Sequence, residues 1–383
     1  MRYPHFLSKN GTIGFVAPSF GLADDFRRAG FAHAQERFRQ DGYQIKLGPN
    51  CYEEKGIGIS NTPEKCGQEL TDFYCDTKVD ALISCAGGEL MCETISRLDL
   101  ERIGKAEPKW FMGYSDNTNF TFLLNTLFDT ASIYGPNARS FGMEPRPKAI
   151  QNALEILTGR QSSVQGYEKW QLERNPEEET NPLAGYLLTE DKVLRLWLPE
   201  CTMGEAIAEA GIETANGTNT EVEFADENGN NGVTYDGRQW NGELHMSGRL
   251  IGGCMDCLVN LLGTRFDHMK DFAEKYKEDG FIWFLESCDL SVLSIRRAMW
   301  QMAEAGWFQY VKGFLIGRPL CYGQEMMGLD AYEAILGIAR RFQVPVVMDV
   351  DLGHLPPAMP IVSGSVGHVH VKGNQIRMTY EYR

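Results

Sequence analysis

Apolar residues in the first third of the chain fall in short continuous runs, each followed by a stretch with helical spacing. Thr12-Ile-Gly-Phe-Val-Ala17 is the first run, and Pro18-Ser19 ends it. It does not alternate polar with apolar residues, so it predicts a strand buried on both faces, as in a parallel sheet. Asp24 to Gln40 predicts a helix with Phe26, Ala29, Phe31 and Phe38 at its apolar positions. Further strands are expected at Tyr43 to Leu47, Ala81 to Cys85, Trp110 to Met112 and Ser132 to Tyr134. Thr62-Pro63 opens a helix by the N-cap and first-position rule, carrying Leu70 and Phe73 inward. Other helices are expected from Leu90, from Asn117 to Leu127 and from Pro147 to Gly159. Strands alternating with helices imply β-α-β units in an open α/β sheet.

The pattern breaks at Gln161. As far as Gly242 the chain is rich in Glu, Asn, Gly and Thr, with Tyr167, Trp170, Tyr186, Trp197 and Trp240 as aromatic anchors. This stretch reads as a linker with irregular β structure, and Asp226 to Gly232 as a turn or mobile loop. Order returns with strands at Arg249 to Gly253, Phe281 to Leu285, Gly313 to Ile316 and Val344 to Met348. Helices are expected after Gly253 through Leu262, from Leu293 to Ala305 and from Asp330 to Phe342. The end, from Ile361, reads as β strands with a hairpin turn at Lys372-Gly-Asn374. The expected division is residues 1–160, 161–242 and 243–383, with no internal repeat.

Composition narrows the class. Across 383 residues, 43% hydrophobic and 23% charged describe an ordinary globular protein. No apolar run approaches the ~20 residues a membrane span needs, and the first ten residues have no apolar signal core, so a cytoplasmic protein is expected. A net charge of −15 argues against nucleic acid as a partner, because neutralising phosphates needs a basic face. The ten cysteines show no framework spacing and are expected to be reduced. Cys254-Met-Asp-Cys257 is a lone CxxC with no second pair, so packing residues are expected there rather than a metal or redox centre.

The candidate chemistry begins at Gly113-Tyr-Ser-Asp116, between a predicted strand and a predicted helix. A strand turning sharply into a helix exposes one side chain and aims helix N–H groups at what it attacks, which makes Ser115 a candidate nucleophile. The second glycine of the usual elbow is missing, and a plain N-cap by Ser115 or Asp116 is the alternative. Gly87-Gly88 ends another strand, so the Gly88 N–H could face the same oxygen as the Asp116 N–H; an ordinary tight turn is the alternative. A serine nucleophile needs a base, and the base an orienting group. Of the seven histidines, His5 precedes the first strand and His33 lies in the first helix, while His245 and His268 flank a helix. His368 and His370 share a strand face, where a third metal ligand is not evident. His354 alone follows an apolar strand and a glycine, on a loop stiffened by Pro356-Pro357. Glu286, directly after Phe-Ile-Trp-Phe-Leu, must leave the core or find a partner; a surface strand end is the alternative.

These residues resemble the serine peptidases that include LD-carboxypeptidases and the microcin C7 self-immunity protein. The matching motifs are Val16-Ala-Pro-Ser19, Gly113-Tyr-Ser-Asp-Asn-Thr118, Leu250-Ile-Gly-Gly253, Leu262-Gly-Thr264, Phe284-Leu-Glu286 and Gly353-His354. They occur in the family's order and cover nearly the whole chain. The resemblance implies a Ser115–His354–Glu286 triad and an oxyanion hole from the Gly88 and Asp116 backbones; no cofactor is expected, and no metal, since the CxxC lacks partner ligands. It also implies an N-terminal Rossmann-like open sheet, a C-terminal α/β domain with a β-barrel-like part, and a homodimer.

Many LD-carboxypeptidases carry Arg-Gly-Gly-Tyr-Gly where this chain has Ala86-Gly-Gly-Glu-Leu90, so the substrate can differ. The extra length lies between Trp170 and Trp240. Glu89, Tyr167 and Trp170 are the candidate substrate contacts, the aromatics by likeness to a nucleotide-covering loop. The expected function is hydrolysis of an amide next to an anionic group, such as the terminal D-Ala of a murein tetrapeptide. Hydrolysis of peptidyl or aminoacyl nucleotides is the alternative within the family, and a non-catalytic ligand-binding protein the alternative outside it.

Overall fold

The computed structural model describes residues 1–199 and 232–383, so the loop expected from Asp226 lies outside the described residues except for Gly232. Strands β1 (Thr12–Val16), β2 (Gln44–Leu47), β3 (Ala81–Ser84), β4 (Trp110–Gly113) and β5 (Ser132–Tyr134) form a parallel sheet in the order β5-β4-β3-β1-β2. Strands β3, β4 and β5 are buried throughout, which is why their sequences run apolar without alternation. The side chains of Asp24 and Thr62 accept from the third N–H of the helices they open, Asp25–Gln40 and Pro63–Cys75. The single helix expected from Leu90 is instead two short ones, Met91–Ile95 and Leu100–Lys105. Asp99 caps the second by accepting from the Arg102 N–H, which restarts the helix.

A ten-stranded sheet occupies the rest. Its first strand is β6 (Ser163–Gln165), and a separate ribbon of β7 (Lys169–Trp170) and β8 (Glu190–Asp191) follows. Next come β9 (Arg195–Trp197), β10 (Gly232–Thr234), β11 (Gln239–Trp240), β12 (Glu243–Cys254), β13 (Phe281–Glu286) and β14 (Val311–Gly317). A second ribbon, β15 (Glu325–Met326) and β16 (Leu329–Asp330), precedes β17 (Val346–Val350), β18 (Ile361–Ser363), β19 (Val366–Lys372) and β20 (Gln375–Glu381). The order is β11-β10-β9-β17-β14-β13-β12-β19-β20-β6, with β17, β14, β13 and β12 mutually parallel at its centre. The part expected to be barrel-like is an open sheet, since β11 and β6 lie at opposite ends of this order. Strands β6 and β9 to β11 of this sheet come from residues 161–242, the stretch expected to carry irregular β structure. No helix among the described residues is long and apolar enough to cross a membrane.

β12 starts six residues before the expected Arg249. Its first half alternates exposed Glu243, His245 and Ser247 with buried Leu244 and Met246, as an antiparallel partner of β19 with one solvated face. Only its second half, beside β13, is continuously buried and apolar, and only that half announces itself as a parallel strand.

Two features bring residues of the second half onto the first sheet, and one of them, β18, is its sixth strand. β18 pairs antiparallel with β5, Ile361 facing Tyr134 and Ser363 facing Ser132. At the end of β12, Gly252 and Gly253 have φ of +149° and +139°. A Cβ on Gly253 would lie 2.6 Å from Thr118 Cγ2, and the Cys254 N–H donates to Thr118 Oγ1 at 3.0 Å. The helix Thr118–Thr126 thus sits directly on β12.

A Cβ on Gly252 would lie 1.8 Å from the Phe284 carbonyl oxygen, a rigid strand atom. Gly252→Ala is therefore expected to lower unfolding stability by about 2–4 kcal/mol, through strain and forced strand separation. Urea denaturation measures this, and a wild-type midpoint would contradict it.

Candidate active site

The buried run of β4 ends at Gly113, and Tyr114 is still extended. Ser115 then turns to φ +63°, a left-handed conformation that costs a side-chain-bearing residue about 1–3 kcal/mol. Ser115–Asn117 forms one 3-10 turn before the helix Thr118–Thr126. Neither element has a side-chain N-cap, so the capping alternative for Ser115 and Asp116 does not hold. The buried Asn117 amide instead donates to the carbonyls of Ala86 at 2.9 Å and Tyr114 at 3.1 Å, clamping the turn to the loop after β3. Ser115 is left half-buried with its hydroxyl turned toward the second sheet.

There it meets His354: Ser115 Oγ lies 2.9 Å from His354 Nε2, and His354 Nδ1 lies 2.7 Å from Glu286 Oε2. Glu286 is the last residue of β13 and only 1% exposed, so it is not a surface strand end. The Tyr134 hydroxyl donates to its other oxygen at 2.5 Å and accepts the Ser115 N–H at 3.1 Å. Tyr134 was legible only as a strand residue. The signal that could have found it is the one that found Glu286, a polar group closing an apolar strand.

The electrostatics follow from the burial. Desolvation pushes the Glu286 carboxyl up, but His354 and the Tyr134 hydroxyl outweigh it and hold the carboxyl below its ordinary range. For His354, desolvation pulls downward, while the adjoining Glu286 carboxylate and Cys288 carry the imidazole well above its usual value. The His354 loop is pinned from below. Asp351, fully buried, pairs with the equally buried Arg318 at 2.6 Å, accepts the Tyr167 N–H at 2.6 Å, and gives its carbonyl to the Met359 N–H.

Gly87 and Gly88 lie opposite the serine. A Cβ on Gly87 would come 3.1 Å from Ser115 Oγ, and one on Gly88 2.1 Å from Ser19 Oγ, so both glycines permit a close backbone approach. The Gly88 and Asp116 N–H groups have no hydrogen-bond partner among the described residues. The Asp116 carboxyl, pushed up to about 6 by burial, accepts from Ser19 Oγ, the Met91 N–H and the Asn119 amide. It thereby ties the turn to the end of β1.

A cavity of about 420 Å³ opens beside His354, lined by Tyr114, Tyr134, Arg139, Tyr186, Gly353 and Met359 among others. None of the three expected substrate contacts is in this lining. The Tyr167 hydroxyl accepts from Asn152, in the core. Trp170 packs edge-on against Tyr322 with Arg318 over its ring. Glu89 is exposed outside the lining, its carboxyl raised by desolvation and by Asp289 and Asp256.

Cys254 and Cys257 are buried as expected, although Cys254 closes β12 rather than lying on the helix Met255–Leu261. His245 also lies on β12, not beside the helix. Cross-strand register sets it against His370, the rings stacking at 4.1 Å, and both contact Glu243. Their ligand atoms lie within 4.8 Å of one another, a grouping that spacing along the chain could not show.

Residues 13–135 match the family model for the LD-carboxypeptidase N-terminal domain, and residues 247–369 that for the C-terminal domain. A Treponema pallidum (strain Nichols) protein provisionally named a carboxypeptidase is 22% identical over 95% of this chain and 91% of its own length. An MccF-like protein from Bacillus anthracis superposes with a TM-score of 0.74 at 19% identity, covering 100% of both chains. The microcin C7 self immunity protein MccF, in complex with aspartyl sulfamoyl adenosine, superposes at 0.71 and 18% identity, over 99% of this chain and 98% of that one. At these identities the structural likeness shows the fold.

Ser115→Gly is expected to raise unfolding stability by about 1 kcal/mol, because glycine adopts the left-handed conformation without strain. Thermal or urea unfolding reads this directly, and a loss of stability would show that the turn is not strained.

Proposed function

The chain belongs to the LD-carboxypeptidase family, and on that premise we propose that it is a serine peptidase cleaving an amide next to an anionic group, such as the terminal D-Ala of a murein tetrapeptide. The observation that carries the reading is the continuous path from Ser115 Oγ through His354 to the buried Glu286. A binding protein has no need of a strained serine within hydrogen-bond reach of a paired histidine, so the relay favours an enzyme over a non-catalytic relative.

In this reading Ser115 Oγ attacks the scissile carbonyl while His354 Nε2 takes its proton. Glu286 keeps the other ring proton on Nδ1 and stabilises the imidazolium. The Gly88 and Asp116 N–H groups receive the developing oxyanion; losing one such donor typically costs about 100-fold to 1,000-fold in turnover. His354 then passes the proton to the leaving amine, and water, deprotonated by the same ring, releases the acyl group. Hydrolysis of peptidyl or aminoacyl nucleotides is the second reading, favoured by likeness over nearly the full length to a microcin immunity protein bound to an aminoacyl sulfamoyl nucleoside. The homodimer implied by the sequence belongs to the same proposal, and sedimentation measures it.

Ser115→Ala should keep the fold and lose essentially all turnover on whichever of the two substrates is cleaved. A serine-directed phosphonate should label Ser115 alone; labelling that survives in the variant would reject the nucleophile.

The base must be neutral to accept a proton, so turnover should rise with pH through the elevated His354 pKa. Glu286→Gln removes the charge that elevates it, so the rise should move to lower pH while the plateau falls by about 10,000-fold. An unshifted profile would assign the titration to another group. The stability that the same histidine contributes is present at low pH and is lost as pH rises through its folded value.

A further inference from the structure

Two arginines line the cavity, Arg139 and Arg174, and the relay uses neither. Arg139 lies in the 3-10 turn Ala138–Gly142, shortly after β5, whose last residue, Tyr134, touches both Ser115 and Glu286. Its stem is pressed against the first helix: a Cβ on Gly30 would lie 3.4 Å from both Arg139 Cγ and Nε. Its guanidinium sits over the Phe26 ring at 5.4 Å. Other arginines of this region are engaged, Arg174 with Glu178 at 3.1 Å, Arg37 with Glu144 at 2.6 Å and Arg146 with Asp41 at 3.1 Å. Arg139 has neither an ion pair nor a hydrogen bond among the described residues, and burial holds its pKa below the ordinary value. The hydroxyls of Tyr114 and Tyr186, in the same lining, likewise have no hydrogen-bond partner among the described residues.

Glu178 and Asp24 attract this half-buried guanidinium from beyond ion-pairing distance, but neither takes its N–H donors, and the usual resolution for such donors is an anion that completes them. Guanidinium presents paired donors that match a carboxylate or phosphate edge. A chain of net charge −15 repels anions at long range, so recognition must come from such a local donor.

We propose that Arg139 is the anion subsite of this cavity, and that it binds the oxyanion carried by the substrate's leaving group. The proposal deepens the hydrolase reading and rests on it for the word substrate; the binding it requires does not depend on turnover. A peptide's terminal carboxylate and a nucleotide phosphate share the recognised chemistry. The apolar wall of Met143, Ile150 and Leu172 accepts the body of either. Arg139 acts on affinity and specificity, since it faces the cavity rather than the Ser115–His354 contact.

The test uses the full chain carrying Ser115→Ala, with and without Arg139→Ala, in titration calorimetry. The probes are a murein tetrapeptide with a free terminal carboxylate, its C-terminal amide, and AMP. Removing Arg139 is expected to weaken the acid by about 10-fold to 100-fold and leave the amide unchanged. Weakening of AMP alone would support the subsite with phosphate as its source. Arg139→Lys should restore part of the affinity. Arg139→Lys keeps most of the stem packed against the first helix, so it separates loss of packing from loss of the paired donors. Equal weakening of acid and amide, no weakening of any probe, or no binding of any probe to the Ser115→Ala protein would overturn the proposal. With Ser115 intact, Arg139→Ala should raise KM for the acid and spare kcat. Arg139-dependent binding without turnover of either substrate would reject the hydrolase and keep the subsite.

Discussion

A carboxylate closing a core strand is the constraint on which the arrangement depends. Glu286 follows five fully buried residues of β13 and cannot reach solvent from there. Left alone it would protonate or unfold its surroundings; with the His354 imidazole on one oxygen and the Tyr134 hydroxyl on the other it stays ionised. Both partners come from other strands, so the charge fixes where β5 and the loop after β17 must end. Gly353 shows how tightly. Its φ is +97°, and a Cβ there would lie 2.8 Å from Glu286 Oε2. No larger residue brings His354 to that distance.

The serine is held by a second, separate set of contacts. Asp116 gathers Ser19, Met91 and Asn119, while Asn117 reaches the carbonyl of Ala86. These bonds over-determine a left-handed residue that would otherwise relax, and they keep its strain at the one side chain that faces His354. The two sets meet through Tyr134, which bonds Glu286 with its proton and the Ser115 N–H with its lone pair. The carboxyl ends of β3, β4, β13 and β17 thereby converge on one crevice, as open α/β sheets tend to place their sites.

Much of this was legible along the chain because the parallel strands are buried on both faces and read as unbroken apolar runs. Ser115, Glu286 and His354 each stood out as a polar group placed where such a run ends. What escaped is what depends on register between distant strands. The alternating half of β12 carried no apolar run, so His245 was set beside a helix and its meeting with Glu243 and His370 went unseen. Tyr134 hid because tyrosine is ordinary in a strand. Tyr167 and Trp170 show what the chain does not tell of an aromatic in an irregular segment: the Tyr167 backbone is tied to buried Asp351, and Trp170 packs on Tyr322. Arg139 drew no notice, since a lone arginine after a strand is unremarkable until its neighbours are seen to be paired elsewhere.

The pairing of β18 with β5 has a consequence for synthesis. The sheet that carries the serine draws one strand from residues 361–363, far later in the chain than the others, the last of which ends at Tyr134. While the ribosome is still extending the chain, β5 is an uncovered edge and the nascent N-terminal half has no histidine to meet its hydroxyl. Closing that edge and delivering His354 belong to the same late stretch of polypeptide. The chain acquires a complete crevice only once residues 354–363 have been made, so shorter nascent chains cannot display it.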